Sequence, residues 1–223
     1  MSEDRNIRRK LGFTEEDFEF LIGVKQKNSD QLSLWEAGGS SLSAAKLDLI
    51  SRLPDKIPFK NINKSTFKFI DLFAGVGGIR MPFQELDGEC VFSSEWDKFA
   101  QKTYAVNYGE FPKGDITKIS AKAIPKHDIL LAGFPCQAFS NAGLKKGFDD
   151  TRGTLFFEIQ RIIAHHKPKA FLLENVKQFK GHDNGKTLET LLSVLSGNKS
   201  KEIPKNIKLS KETRKALETQ LNY

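Results

Sequence analysis

His127-Asp128-Ile129-Leu130-Leu131-Ala132-Gly133-Phe134-Pro135-Cys136-Gln137-Ala138-Phe139-Ser140 is the stretch that decides the architecture. Its apolar run is short, ends in a glycine and reads as a buried strand feeding a loop. The loop sets a thiol, Cys136, at the carboxyl end of that strand, which is where open α/β sheets keep their ligands. A lone cysteine is ordinarily a small buried core residue, so the weight of the reading falls on what surrounds it.

Upstream, Phe67-Lys68-Phe69-Ile70-Asp71-Leu72-Phe73 is a second strand-like run, followed by the turn Ala74-Gly75-Val76-Gly77-Gly78 and a helix over 79–86. Cys90-Val91-Phe92-Ser93-Ser94 is a third strand ending at Glu95-Trp96-Asp97, with a helix through Phe99 and Tyr104 beyond it. A short element closes at Gly114-Asp115-Ile116-Thr117. Downstream, the pattern predicts a helix from Gly153 to His166, a strand over Lys169-Ala170-Phe171-Leu172-Leu173 and a helix from Thr187 to Leu195. Strands and helices alternating at these lengths predict an α/β fold, a mostly parallel sheet with helices on both faces.

This pattern divides the chain into three parts. Residues 1–64 read as a small helical extension, with Thr14 capping the acidic turn Glu15-Glu16-Asp17 and a second helix over Ser41–Ile50. Packing or partner contact is its expected role. Residues 65–196 form the α/β domain. Residues 197–223 form a basic tail, in which Lys199 to Lys215 holds seven Lys/Arg against two Glu and is expected to be exposed.

With 223 residues, 39% hydrophobic and 28% charged, the composition is that of a soluble protein able to bury a sizeable core. No apolar run approaches the roughly 18 residues of a membrane span, and the start Met1-Ser2-Glu3-Asp4-Arg5 is not a signal peptide, so a cytoplasmic location is expected. Two cysteines, Cys90 and Cys136, without metal-ligand spacing, indicate neither a disulfide framework nor a metal site. The net charge of +7 favours an anionic partner.

The glycine turn points to a nucleotide-like cofactor. Backbone approaches a ligand closely at Gly75 and Gly77, and Glu95, ending the next strand, can accept hydrogen bonds from ribose hydroxyls. A dinucleotide fingerprint wants a third glycine where this chain has Arg80. That favours a ligand without a pyrophosphate, and S-adenosylmethionine fits. Trp96 is positioned to lie on the adenine face and Asp115 to accept from the adenine amino group. In the second half, Glu174 ends the strand after the cysteine loop and lies near that loop if the two strands are neighbours. A thiolate attacks best where positive charge or dipoles lower its pKa, and a poorly hydrated carboxyl group stays protonated.

Asp71-Leu72-Phe73-Ala74-Gly75-Val76-Gly77-Gly78, Gly133-Phe134-Pro135-Cys136-Gln137, Thr151-Arg152-Gly153-Thr154-Leu155-Phe156 and Glu174-Asn175-Val176 together resemble the ordered motifs of DNA cytosine-C5 methyltransferases, the bacterial Dcm-like branch above all. The resemblance runs from about 67 to 195. It implies a Rossmann-like S-adenosylmethionine-dependent methyltransferase fold, with double-stranded DNA as substrate in a restriction-modification setting. It assigns Cys136 as nucleophile and Glu174 to the target base. The cofactor contacts it implies are Phe73, Gly75, Gly77, Glu95, Trp96, Asp115, Ile116, Pro135 and Leu155, while Gln137, Ser140 and Arg152 line the pocket or its DNA mouth. The implied route adds the Cys136 thiolate to cytosine C6 while Glu174 protonates or hydrogen-bonds N3, on a base flipped out of the duplex.

The chain departs from the family pattern in three ways. Ala138 replaces the proline common after Pro-Cys-Gln. No arginine-bearing Gln-x-Arg-x-Arg motif follows Glu-Asn-Val, and no target-recognition region or closing helix follows it. The fold is therefore expected to be incomplete at its carboxyl end. A split enzyme whose second subunit carries recognition, a non-catalytic remnant that binds cofactor or a partner, and a piece of a longer protein all remain open, as does methylation of RNA by the same fold.

Overall fold

The computed structural model describes residues 5–24, 30–61, 64–135, 155–197, 209–219, 221 and 223. These form two compact units, one from the described parts of Met1–Asn61, Gly75–Gly77 and Asp97–Pro112, the other from those of Ile62–Ala74, Gly78–Trp96 and Lys113–Tyr223.

The first unit is helical. It contains α1 (Ile7–Leu11), α2 (Glu15–Ile22), α3 (Asp30–Glu36), α4 (Ala44–Ser51) and α6 (Lys98–Tyr108). The start of α2 is fixed by local chemistry, since the Thr14 hydroxyl oxygen accepts from the Asp17 N–H at 3.1 Å. Phe18, Leu32 and Trp35 are fully buried and, with Ile7, Leu11 and Ile50, form a core that also takes in Ala105 of α6. Arg8 binds the Glu36 carboxylate bidentately, Nε to Oε1 at 2.6 Å and Nη2 to Oε2 at 2.8 Å, tying α1 to the end of α3. That bond holds the Glu36 carboxyl below its usual range.

The second unit holds the sheet. Strands β1 (Phe67–Leu72), β2 (Gly88–Ser94), β3 (Ile129–Gly133) and β4 (Ala170–Glu174) run parallel in the order β2-β1-β3-β4. Helix α5 (Arg80–Glu85) follows β1, α7 (Leu155–His166) precedes β4, and α8 (Lys186–Leu195) and α9 (Lys211–Ala216) follow it. Alternation along the strands sorts the two faces. Ile70, Leu72, Leu130 and Ala132 pack with Phe156, Ile159, Ile162 and Ile163 of α7 in the main core. On the other face, Phe69, Cys90 and Leu131 meet Ile79 and Phe83 beside α5. The expected parallel α/β sheet with helices on both faces is therefore present. Among the described strands β4 lies at one edge; Phe171 and Leu173 pack against the main core, whereas Leu172 on its other face is 42% exposed.

Two findings refine the sequence reading. Within the helical extension expected at 1–64, α1 and α3 add to the two helices that the sequence delimited. Of the described residues of Lys199 to Lys215, Ser210, Lys211, Glu212, Arg214 and Lys215 are exposed as expected, but the stretch also forms α9, which packs on α7 with Thr213 fully buried. Among the described residues, no helix is long and apolar enough to cross a membrane.

Candidate active site

Parallel strands all end on one side, so the residues after β1, β2, β3 and β4 gather at the carboxyl edge of the sheet. After β1 comes Phe73, half-buried against the main core and held at φ 55, a left-handed conformation that is unusual for a bulky residue. After β2 comes Glu95, whose N–H donates to the Lys113 carbonyl at 2.8 Å. Its carboxylate is buried, whereas Trp96 beside it is 74% exposed and available for stacking. Asp115 caps the 3-10 turn Ile116–Lys118, one oxygen accepting from the Thr117 N–H at 3.0 Å and the Thr117 hydroxyl at 2.8 Å. The Ile116 side chain belongs to the core, and its carbonyl accepts from the Ile119 N–H at 3.2 Å and from Arg161 Nη2 at 3.3 Å. Leu155 is half-buried at the start of α7.

The ends of β3 and β4 are neighbours, in register Gly133↔Glu174. A Cβ added to Gly133 would lie 3.2 Å from Ile79 Cδ1, a tight approach, and 3.4 Å from Glu174 Oε2, an ordinary contact, so that carboxylate lies directly beside the end of β3. The Asn175 amide Nδ2 donates to the Phe134 carbonyl at 3.0 Å, and the Phe134 ring is held edge-on to Phe179 at 5.7 Å. Phe134 and Pro135 are thus fixed beside Glu174-Asn175, as expected for neighbouring strands. Glu174 itself is exposed. Cys136, Gln137, Ser140 and Arg152 lie outside the described residues. Among those described, no group of His, Cys, Asp and Glu could hold a metal ion.

The turn Gly75–Gly77 belongs to the helical unit. Both glycines have positive φ, 55 at Gly75 and 92 at Gly77, but their surroundings differ. A Cβ on Gly75 would meet nothing within 4 Å, whereas one on Gly77 would lie 2.1 Å from Tyr108 Cε2. At Gly77, then, a buried tyrosine ring as well as the backbone conformation demands glycine. Gly77→Ala is expected to cost about 2–3 kcal/mol in urea unfolding, from left-handed strain plus overpacking. Gly75→Ala should cost about 1 kcal/mol, the backbone contribution alone. Equal losses at the two positions would refute the role of Tyr108.

Asp71 carries a feature that the motif alone does not reveal. It is 1% exposed, and neither carboxylate oxygen meets a hydrogen-bond donor among the described residues. Burial pushes its pKa up to about 7, with Glu95 adding to the rise and Arg80 opposing it.

Residues 67–198 match the family described as C-5 cytosine-specific DNA methylase. The chain is 51% identical over 189 residues to the Type II methyltransferase M.SsoII of Shigella sonnei, covering 84% of this chain and 50% of that protein. It is 52% identical over 189 residues to the Type II methyltransferase M1.ScrFI of Lactococcus lactis subsp. cremoris, covering 84% and 49%. Among solved structures, the S. pombe Dnmt2 methyltransferase aligns with a TM-score of 0.46 at 22% identity, over 58% of this chain and 42% of that one. The chain spans about half the length of the curated relatives it matches. Since the matched segment takes up more than half of the sequence and contains the whole parallel sheet, the chain belongs to the C-5 cytosine-specific DNA methylase family.

Proposed function

We propose that this chain provides the catalytic, cofactor-binding portion of a DNA (cytosine-5-)-methyltransferase of restriction-modification type, acting on double-stranded DNA. The observation that carries this reading is the pairing of β3 with β4, which sets Phe134-Pro135, immediately before Cys136 in the chain, beside Glu174 at one edge of the sheet.

S-adenosylmethionine supplies an electrophilic methyl group, and the residues at the strand ends fit it chemically. Trp96 offers an exposed indole to adenine, Glu95 a carboxylate to ribose, and Asp115 the oxygen that its cap leaves over. Phe73, Ile116, Pro135 and Leu155 complete that set. Gly75 and Gly77 are assigned to the cofactor by their motif and positive φ.

On the substrate side, the Cys136 thiolate adds to cytosine C6, forming a C–S bond. Glu174 donates a proton or a hydrogen bond to N3, so that C5 gains the electron density it otherwise lacks. After C5 is methylated, its proton passes to a base and the thiolate leaves, restoring the aromatic ring. Gln137, Ser140 and Arg152 contact the flipped base or the DNA at the pocket mouth. The exposed outer face of edge strand β4 supports a further element against it, in the same polypeptide or in a second subunit carrying recognition.

The test is transfer of tritiated methyl groups from S-adenosylmethionine to mixed duplex DNA, with and without lysate of the source cell, beside a duplex bearing 5-fluorocytosine. Transfer in at least one arm is expected, with a covalent complex on the fluorinated duplex, and Cys136→Ala should abolish both. Silence in both arms with no trapped complex overturns the reading.

A further inference from the structure

We propose that Asn107 and Tyr108, the last two residues of α6, are positioning residues for the cofactor turn, holding the carbonyls of Val76 and Gly77 and so aiming the backbone donors that follow them. The inference rests on the cofactor reading above and names the residues that set this turn.

The Asn107 amide Nδ2 donates to the Val76 carbonyl at 3.1 Å, and the Tyr108 hydroxyl donates to the Gly77 carbonyl. A peptide unit is planar and trans, so its C=O and the next N–H point in opposite directions. Fixing the Val76 carbonyl towards α6 turns the Gly77 N–H away from α6. Fixing the Gly77 carbonyl does the same for the Gly78 N–H. These are the donors that a glycine turn can offer to a ligand.

The two holding residues are themselves rigidly placed. The Tyr108 ring, buried, packs at 4.7 Å from Tyr104 and 5.7 Å from Phe59. The Phe59 N–H donates to the Asn107 carbonyl at 2.9 Å, and Ile57 closes on Gly109, the residue that caps α6. Ala105 and Val106, immediately before them in α6, are packed in the core of α1 to α4. The amino-terminal helices thereby fix the end of α6, and the end of α6 fixes the turn. This gives the extension a role in cofactor binding that acts through α6.

The experiment measures S-adenosylhomocysteine affinity by calorimetry on the full chain, well below its melting temperature, together with amide resonances of Gly77 and Gly78. Tyr108→Phe removes the hydroxyl and keeps the ring. Asn107→Ala removes the amide and raises helix propensity, so the gain in propensity offsets part of the stability lost with the hydrogen bond. Each variant is expected to weaken binding by about three- to tenfold, the worth of one hydrogen bond. The Gly77 and Gly78 resonances should shift while those of β3 stay put, and Asn107→Ala should melt close to wild type. Thr103→Ala, exposed on the same helix, should bind as wild type. Affinities within about twofold of wild type in both variants, or unmoved Gly77 and Gly78 resonances, overturn the proposal. A wild-type chain that binds no S-adenosylhomocysteine overturns the cofactor reading and this inference with it, whereas tight wild-type binding that the variants retain overturns this inference alone.

Discussion

Arg161→Ala should destabilise the sheet unit by about 3–5 kcal/mol, because it leaves a buried carboxylate without its counter-charge. The Arg161 side chain is 2% exposed. Its Nε donates to Glu158 Oε2 at 2.9 Å, and its Nη2 donates to the Ile119 carbonyl at 2.9 Å and the Ile116 carbonyl at 3.3 Å. The other Glu158 oxygen accepts from the Thr213 hydroxyl of α9 at 2.8 Å. Arg161 Nη1 lies 3.3 Å from Glu212 Oε1, an ion-pair distance without hydrogen-bond alignment. That Glu212 oxygen also accepts from the Ala121 N–H at 3.0 Å. One guanidinium thus joins α7, the 116–121 segment and α9. Alanine would strand Glu158 and two carbonyls at once. Against a total stability of about 5–15 kcal/mol for a typical domain, that loss is large. Urea unfolding followed by circular dichroism measures it, and a cost below about 1 kcal/mol, the worth of an exposed pair, would refute the account. The double replacement Arg161→Met with Glu158→Leu should recover much of the loss, since it removes the stranded charge along with its partner.

The same network explains why α9 was illegible in the sequence. Its helix, Lys-Glu-Thr-Arg-Lys-Ala, has no apolar stripe. Thr213 is buried because its hydroxyl meets Glu158, 55 positions away. Conversely, Glu158, Gln160 and Arg161 look like the solvent face of an amphipathic helix, yet all three are buried. Periodicity sees only neighbours within a turn or two, and a buried polar cluster satisfied across the chain defeats it. The strand-and-loop pattern was legible for the opposite reason. Strands β1 and β3 are buried on both faces, so they read as short apolar runs, and the glycine at position 133 ends β3 where an added Cβ would crowd Ile79.

The site was half legible. Motif spacing set Phe73, Glu95, Trp96 and Glu174 at strand ends, and each lies at or just after the carboxyl end of a strand. It could not show that Gly77 is glycine partly because of Tyr108, a contact spanning 31 positions. The only local signal was that Asn107-Tyr108 ends a helix at Gly109, which reads as capping. Nor could the sequence show that Asp71, inside the glycine-turn motif, is buried without a hydrogen-bond donor among the described residues.

Asp71→Asn should therefore stabilise the chain at pH 8, and should flatten the dependence of its stability on pH between about 4 and 7. The folded carboxyl titrates at about 7, against a usual value of 3.8, chiefly because burial penalises its charged form. Between those values the folded state holds a proton that the unfolded state has lost. The favourable contribution is thus fully present below about pH 4, falls as the pH rises, and is gone above about pH 7. A gap of this size corresponds to stability on the order of 4 kcal/mol. Asparagine keeps the shape of the side chain and has no charge to desolvate, so the variant should follow the wild type at low pH and exceed it at high pH. Melting temperatures across this range, compared between the two proteins, test the prediction. Parallel curves would mean that Arg80, the opposing charge, keeps Asp71 ionised in the fold at neutral pH. Asp71 would then be a charged and not a neutral group at the buried end of β1.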